Sequence, residues 1–251
     1  LGGSMELEAR LTFIQMKKGA EAATVRKAQA ETRLDGFIFL AVADRAAVLS
    51  VKRLGVPFVL ADHHFDALAL DSVDPDSRQG SRAVTEHLLG LGCRRIGLLT
   101  SPKPANNPDR VAGFEEALHT AGLDPAGSLR RAEVPNEGVG FRLAQALLAE
   151  EQALPEAMVV WNGTMAYGFI KALREAGRRV PEDVKVATFG SRDFLRSFPG
   201  ITAAVVDSKE IGKQAMRLLG RRLAAPALPP QEVRLPMPLV VGASSVGHTL
   251  D

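Results

Sequence analysis

Polar residues gather in this chain at one kind of place, directly after short apolar runs. VPFVLA (56–61) is followed by Asp62, His63 and His64, and RIGLLT (95–100) by Ser101 and Lys103. AMVVW (157–161) is followed by Asn162 and Gly163, and VKVATF (184–189) by Gly190 and Ser191. Carboxylate, imidazole, hydroxyl and amide groups at such places suit hydrogen-bond recognition of a small polar ligand. Asn162 has two readings: an N-cap of the helix that follows, or a ligand hook offering both donor and acceptor. Arg110 sits in the first turn of NPDRVAGFEEALHTAG (107–122), where a cation opposes the helix dipole by about 0.3–1 kcal/mol. It either serves a polar ligand or pairs with Asp109 or Glu115 on a solvated face. Trp161, the single tryptophan, either stacks on a ligand or packs in the core.

Signatures of bond-making chemistry are absent. The sequence holds no G-x-S-x-G elbow, no Walker A loop and no G-x-G-x-x-G after a strand. His63-His64 is not a metal spacing, and His87, His119 and His248 are scattered. Glu115-Glu116 and Glu150-Glu151 read as surface charge. The expectation is a binding protein, not an enzyme, with no metal and no cofactor.

The elements that position these residues alternate. Apolar runs at 11–15 (LTFIQ), 36–41, 56–61, 95–100, 157–161, 184–189, 201–206 and 237–241 (MPLVV) read as strands. Most are continuous rather than alternating, as parallel strands covered on both faces require. Between them run helical patterns. In 107–122, Asn107 can cap, Pro108 suits the first helical position and Val111, Phe114, Leu118 and Ala121 share a face. In 207–223, Ile211, Ala215, Leu218 and Leu219 form the stripe, and Arg221 and Arg222 lie in the last turn as the dipole prefers. Residues 76–91 and 164–176 behave alike. The whole is an α/β chain with doubly wound parallel sheets. APALPP (225–230) reads as a rigid surface connection.

Composition sets further bounds. A chain of 251 residues, 46% hydrophobic and 24% charged, is one large globular domain or two small ones. A net charge of +2 gives no electrostatic footprint for nucleic acid. The lone Cys93 precludes an internal disulfide, which fits the cytoplasm. No apolar run is long enough to span a membrane.

The order of these features resembles the effector-binding domain of the lactose-repressor/galactose-repressor (LacI/GalR) family. The matching segments include DGFIFLAV (35–42), GVPFVLAD (55–62), DRVAGFEEAL (109–118), WNGTMAYGFIKALREAGRRVPEDVKVATFGS (161–191) and PGITAAVVDSKEIGKQA (199–215). The resemblance implies two periplasmic-binding-protein-like lobes of doubly wound parallel sheet joined by three crossovers. Residues 1–73 with 205–234 would form the N-terminal lobe, lacking its first strand–helix unit, and 74–204 with 235–251 the C-terminal lobe. It also implies a homodimer, a small sugar-like or anionic effector, and operator DNA contacted only through a headpiece not present in this chain. The family's contact Arg falls on Arg110, its Asn on Asn162 and its N-lobe acid on Asp62. His63, Ser101, Trp161, Gly190 and Ser191 join them as ligand-binding expectations. Gly163 and Gly190 stand where the family carries acids, so a larger, anionic or less hydroxylated effector is expected rather than a simple hexose. A solute-binding protein of a sugar transporter shares the fold and is the alternative.

Overall fold

The computed structural model describes residues 10–17, 19–42, 44–65, 67–100, 107–131, 136–150 and 154–247. Its elements begin with α1 (Glu21–Thr32), β1 (Phe37–Leu40), α2 (Arg45–Lys52), β2 (Phe58–Ala61) and β3 (Ser72–Pro75). There follow α3 (Ser77–Gly90), β4 (Ile96–Thr100), α4 (Asn107–Thr120), β5 (Leu129–Arg131), α5 (Glu137–Ala149), β6 (Ala157–Val160) and α6 (Gly163–Glu175). The chain continues through β7 (Lys185–Ser191), α7 (Arg192–Ser197), β8 (Thr202–Val206) and α8 (Ser208–Ala224). It ends with β9 (Glu232–Leu235), β10 (Leu239–Val240) and α9 (Ala243–Val246). Two compact units divide it: Leu1–Asp74 with Lys209–Val233 is unit 1, and Pro75–Ser208 with Arg234–Asp251 is unit 2.

Unit 2 carries a six-stranded sheet in the order β10-β8-β7-β6-β4-β5, parallel except for β10. Alternation along β6 shows why its sequence is apolar throughout. Met158 and Val160 enter one apolar cluster with Leu99, Val186, Phe169 and Leu173. Ala157 and Val159 point the other way, into a second cluster with Leu98, Phe114, Leu118 and Phe189. Helices α5 and α6 cover the first face, α3 and α4 the second. Period-two side-chain geometry thus demands apolar residues at every position of a strand covered twice.

Both helix pairs pack at backbone contact. A Cβ on Gly140 would overlap the Met165 carbonyl, one on Gly168 the Glu137 carbonyl, and one on Gly113 the Arg78 carbonyl. Glycine is needed at these points by the approach of a neighbouring backbone, not by its own dihedrals.

Unit 1 builds on parallel strands β1, β2 and β3, with Val25, Phe39, Val48, Val51, Phe58 and Leu60 as core. Its polar centre is Asp71, whose side chain is 2% exposed. The carboxylate accepts from Arg222 Nε at 2.7 Å and from the Gln231 backbone N–H at 2.9 Å. Arg222 Nη1 also donates to the Pro226 and Leu228 carbonyls at 2.8 and 2.6 Å, and Arg221 Nη2 to that of Pro229 at 3.0 Å. The dipole-favoured arginines at the end of α8 therefore also clamp the APALPP connection.

Two strand expectations need correction, and three strands were not expected. LTFIQ (11–15) forms no strand: residues 11–17 have no regular structure and Phe13 is 95% exposed. Among the described residues β1 pairs only with β2, so no neighbour satisfies the backbone of 11–15 as a ladder would. MPLVV shrinks to two residues, because Pro238 supplies a carbonyl to Val205 N at 2.9 Å but has no N–H to donate. Three strands lie in polar or charged sequence, SVDP, LRR and EVRL. Of these, β5 and β9 are sheet edges, where charge blunts further pairing and apolar patterning is weak.

Two glycine substitutions of opposite sign test this packing. Gly168→Ala should destabilise by about 1–3 kcal/mol through overpacking of α5 on α6. Gly212→Ala in α8, with nothing within 4 Å of the added methyl, should stabilise by about 0.5–1 kcal/mol through helix propensity. Urea unfolding measures both, and a neutral Gly168→Ala would refute the close approach.

Candidate functional site

In unit 2 the chain leaves β4 for β5 on one side and then crosses to β6 on the other. Open parallel sheets place ligands at such a reversal, outside the carboxyl ends of the strands. Here that crevice lies at the ends of β4 and β6, with β7 adjoining. Ser101 and Lys103, which follow β4, lie outside the described residues. The side chain of Asn107 does too, so its expected cap is left aside.

Helix α4 delivers Arg110 to this edge. The guanidinium carbon lies 4.1 Å from the centroid of the Trp161 ring and 4.4 Å from that of Phe189. Nη1 donates to the Trp161 carbonyl at 2.7 Å. The main chain beneath is fixed as well, since Ser81 Oγ donates to the Arg110 carbonyl at 2.6 Å. A planar cation over aromatic faces gains cation–π attraction that strengthens as water is excluded. Arg110 is therefore half-buried and aimed, its guanidinium turned to the Trp161 and Phe189 rings, and Asp109 meets Arg234 at 3.4 Å. Trp161 is 4% exposed, a core residue that also serves as the platform for Arg110.

Asn162 is the N-cap of α6: its Oδ1 accepts from the Met165 N–H at 2.8 Å and from Thr164 Oγ1 at 3.0 Å. The cap reading is thus realised, while the donor half of the amide, Nδ2, is not part of that cap. Ser191 caps α7 in the same way, its Oγ accepting from Phe194 N at 3.2 Å. Gly190, the last residue but one of β7, lies against Val205. Arg110, Trp161, Asn162, Gly190 and Ser191 accordingly share the tips of two adjacent strands.

Two residues that the sequence reading did not single out complete this region. Phe189 is the second face of the arginine sandwich. Phe194 lies on Gly163, where an added Cβ would overlap its ring, and a Cβ on Gly190 would come within 2.9 Å of its Cδ1. Phe189 is hidden inside an ordinary apolar strand pattern. Phe194 had one available signal, an aromatic in the mostly polar SRDFLRS.

Asp62 and His63 belong to unit 1. Asp62 follows β2 with φ 58°, a left-handed conformation rare outside glycine and found where structure over-determines it. Its N–H reaches the Val73 carbonyl at 2.9 Å, holding the tip in place. His63 is 6% exposed, and neither ring nitrogen has a hydrogen-bond partner among the described residues. Its ring packs edge-on to Phe65 at 4.3 Å. Beside it, His64 Nδ1 lies 3.4 Å from Asp74 Oδ2. No group of three or more His, Cys, Asp or Glu among the described residues has a metal-holding arrangement. A surface hollow of about 420 Å³ lined by Arg174, Arg178 and Arg179 adjoins the far end of α6. Cations there complement the helix C-terminus, and the hollow is remote from these tips.

Burial, and secondarily His64, lowers the His63 pKa from 6.5 to about 4. Between those values the unfolded chain binds a proton that the folded chain refuses, so stability falls as pH drops from about 6.5 to about 4. At ~1.4 kcal/mol per pKa unit the loss approaches about 3 kcal/mol. His87, also lowered by burial, adds to the same slope. Urea titrations across this range should show the slope flattened in His63→Leu, and an unchanged slope would contradict the assignment.

Residues 85–245 match the family described as periplasmic binding protein-like domain. The HTH-type transcriptional regulator GalR of Lacticaseibacillus casei is 28% identical over 227 residues, covering 87% of this chain and 68% of that protein. The repressor MelR of Bacillus subtilis is 29% identical over 219 residues, covering 84% of this chain and 63% of that protein. This chain therefore spans about two thirds of the length of these relatives. A solved complex of the transcriptional regulator CelR with cellobiose superposes with a TM-score of 0.79 at 25% identity, covering 90% of this chain and 71% of that one. These relatives are transcriptional regulators, neither enzymes nor transporter components. The chain belongs to the periplasmic-binding-protein-like domain family, in the form that LacI/GalR regulators carry as their effector-binding region.

Proposed function

We propose that this chain is the effector-sensing and dimerisation domain of a bacterial LacI/GalR-type regulator responsive to a sugar or sugar derivative. It works in the cytoplasm and acts on operator DNA through a headpiece outside this chain. The observation that carries this reading is the guanidinium of Arg110, pinned between Trp161 and Phe189 at the strand reversal beside Asn162. An immobilised fork of N–H donors recognises hydroxyl, carbonyl or anionic oxygens with little ordering cost at binding. Asp62 and His63 are ligand-reading residues on unit 1, and Ser101, Gly190 and Ser191 extend the set on unit 2. The cellobiose complex of CelR supports a saccharide class of effector.

Calorimetry against sugars, sugar phosphates and nucleosides tests the site. Arg110→Ala should weaken the responding ligand by about 1.5–3 kcal/mol, roughly tenfold to a hundredfold. Asn162 needs a different substitution because it caps α6. Asn162→Ser retains a capping oxygen and removes the amide donor, so affinity should fall while the unfolding midpoint holds. If both variants stay folded and bind as wild type does, the site lies elsewhere.

A homodimer is the second expectation, since regulators of this kind transmit the effector signal through paired domains. Sedimentation at tens of micromolar should give twice the chain mass, and a monomer in the chain restored to full regulator length would refute the pairing.

A further inference from the structure

The tips of β6 and β7 contain no carboxylate: residues 161–164 read WNGT and 189–191 read FGS. Three polar side chains there carry acceptor oxygens: Asn162 and Ser191 accept backbone N–H bonds from the helices they cap, and the exposed Thr164 donates its hydroxyl to Asn162 Oδ1 at 3.0 Å. The two glycines of these tips face a single aromatic ring. Phe194 stands where a side chain on Gly163 would begin and crowds the corresponding position on Gly190. From there the aromatic surface continues outward. Phe194 and Phe198 stack at 4.9 Å, and Phe198 meets Tyr167 at 4.7 Å, with Tyr167 40% exposed. Among the described residues this edge carries one guanidinium, the Asn162 amide, the Thr164 hydroxyl and a run of ring surface.

Those groups do not suit every saccharide equally. A free polyol needs acceptors for several hydroxyl hydrogens, and hydroxyls set against Phe194 would lose water without gaining a partner. A flat apolar substituent there loses nothing polar and gains ring contact. We propose that Phe194 determines ligand class, directing this domain to a glycoside bearing an aromatic or comparably flat aglycone rather than to a free sugar. The inference rests on the site assigned above, with Arg110 reading the polar half of the ligand and Phe194 the apolar half.

The same geometry bears on any attempt to restore an acid. Gly190→Asp alone would bring its Cβ to 2.9 Å from Phe194 Cδ1, so the ring must shift before the carboxylate is seated. Phe194 and Gly190 are thus a matched pair: the ring crowds the acid, and the glycine admits the ring.

The test uses phenyl β-D-glucoside and methyl β-D-glucoside, which share a sugar and differ in the aglycone. Binding is read by calorimetry and by the fluorescence of Trp161, the only tryptophan. Wild type should bind the phenyl compound at least about tenfold more tightly, a difference of roughly 1.4 kcal/mol. Phe194→Ala should bring the ratio near one. Phe194→Leu, which fills most of the volume without a flat ring, should also lower it, and melting curves confirm that each variant is folded. Arg110→Ala should weaken both compounds by a similar factor and leave the ratio intact. An Arg110→Ala protein that binds both as wild type does would remove the site itself. A ratio unmoved in both folded Phe194 variants, with Arg110→Ala effective, would overturn the role of Phe194 alone. Equal binding of the two compounds by wild type, or binding of neither at millimolar concentration, overturns it as well.

Discussion

A sheet covered on both faces admits few polar side chains along its strands, and only ones with a protein partner, and that constraint organises this protein. Once α3 and α4 take one face of the unit 2 sheet and α5 and α6 the other, every residue of β6 must be apolar whichever way it points. A hydrogen-bonding side chain within a strand then needs a protein partner, as Thr188 Oγ1 finds in the Val160 carbonyl at 2.8 Å, and groups that can meet a ligand gather where strands stop. The register of β6 with β7, Val160 beside Thr188, then sets the residues after Val160 level with the end of β7. Recognition chemistry is a boundary property of this fold, which is why residues distant in sequence meet there.

Arg110 shows how such a boundary is made rigid. Its position opposes the dipole of α4, a cost the sequence exposes. Contacts from three other elements offset it: the Trp161 carbonyl, the Trp161 and Phe189 rings, and Ser81 holding the main chain. Each of these lies on a strand end or a helix that the core already fixes. A side chain with high rotamer entropy is therefore ordered before any ligand arrives, and less of the binding free energy goes to arranging it.

What the sequence made legible follows the strength of local signals. The strands of unit 2 could be read because double burial leaves continuous apolar runs, and α4 and α8 because caps, stripe and terminal arginines agreed. LTFIQ misled, since an apolar run signals a strand only when a partner ladder exists, and partners are non-local. The edge strands β5 and β9 were illegible for the opposite reason: an edge tolerates charge, so LRR and EVRL carry no apolar signature. At the site, Arg110 and Asn162 were visible as residues at odd or telling positions. That Asn162 acts as a cap could not be separated from a ligand role by sequence, because one amide can serve both. Phe189 was invisible, being an apolar residue in an apolar strand.

Phe194 marks the deeper limit. A glycine in sequence reads as a lost side chain, here as acids missing at 163 and 190, and so as a weaker version of a polyol site. The structure gives the same glycines a positive meaning, since a ring occupies what the side chains vacated. On the reading proposed above, glycine at 163 and 190 with a ring at 194 would exchange one recognition chemistry for another while the backbone of β6, β7 and α6 stays as a capped, register-fixed frame. The frame permits this because neither glycine sits in a left-handed turn that would demand glycine for its own sake: among the positive-φ glycines neither 163 nor 190 appears. Their identity answers to the ring beside them, so ligand class in this domain can change without any change of fold.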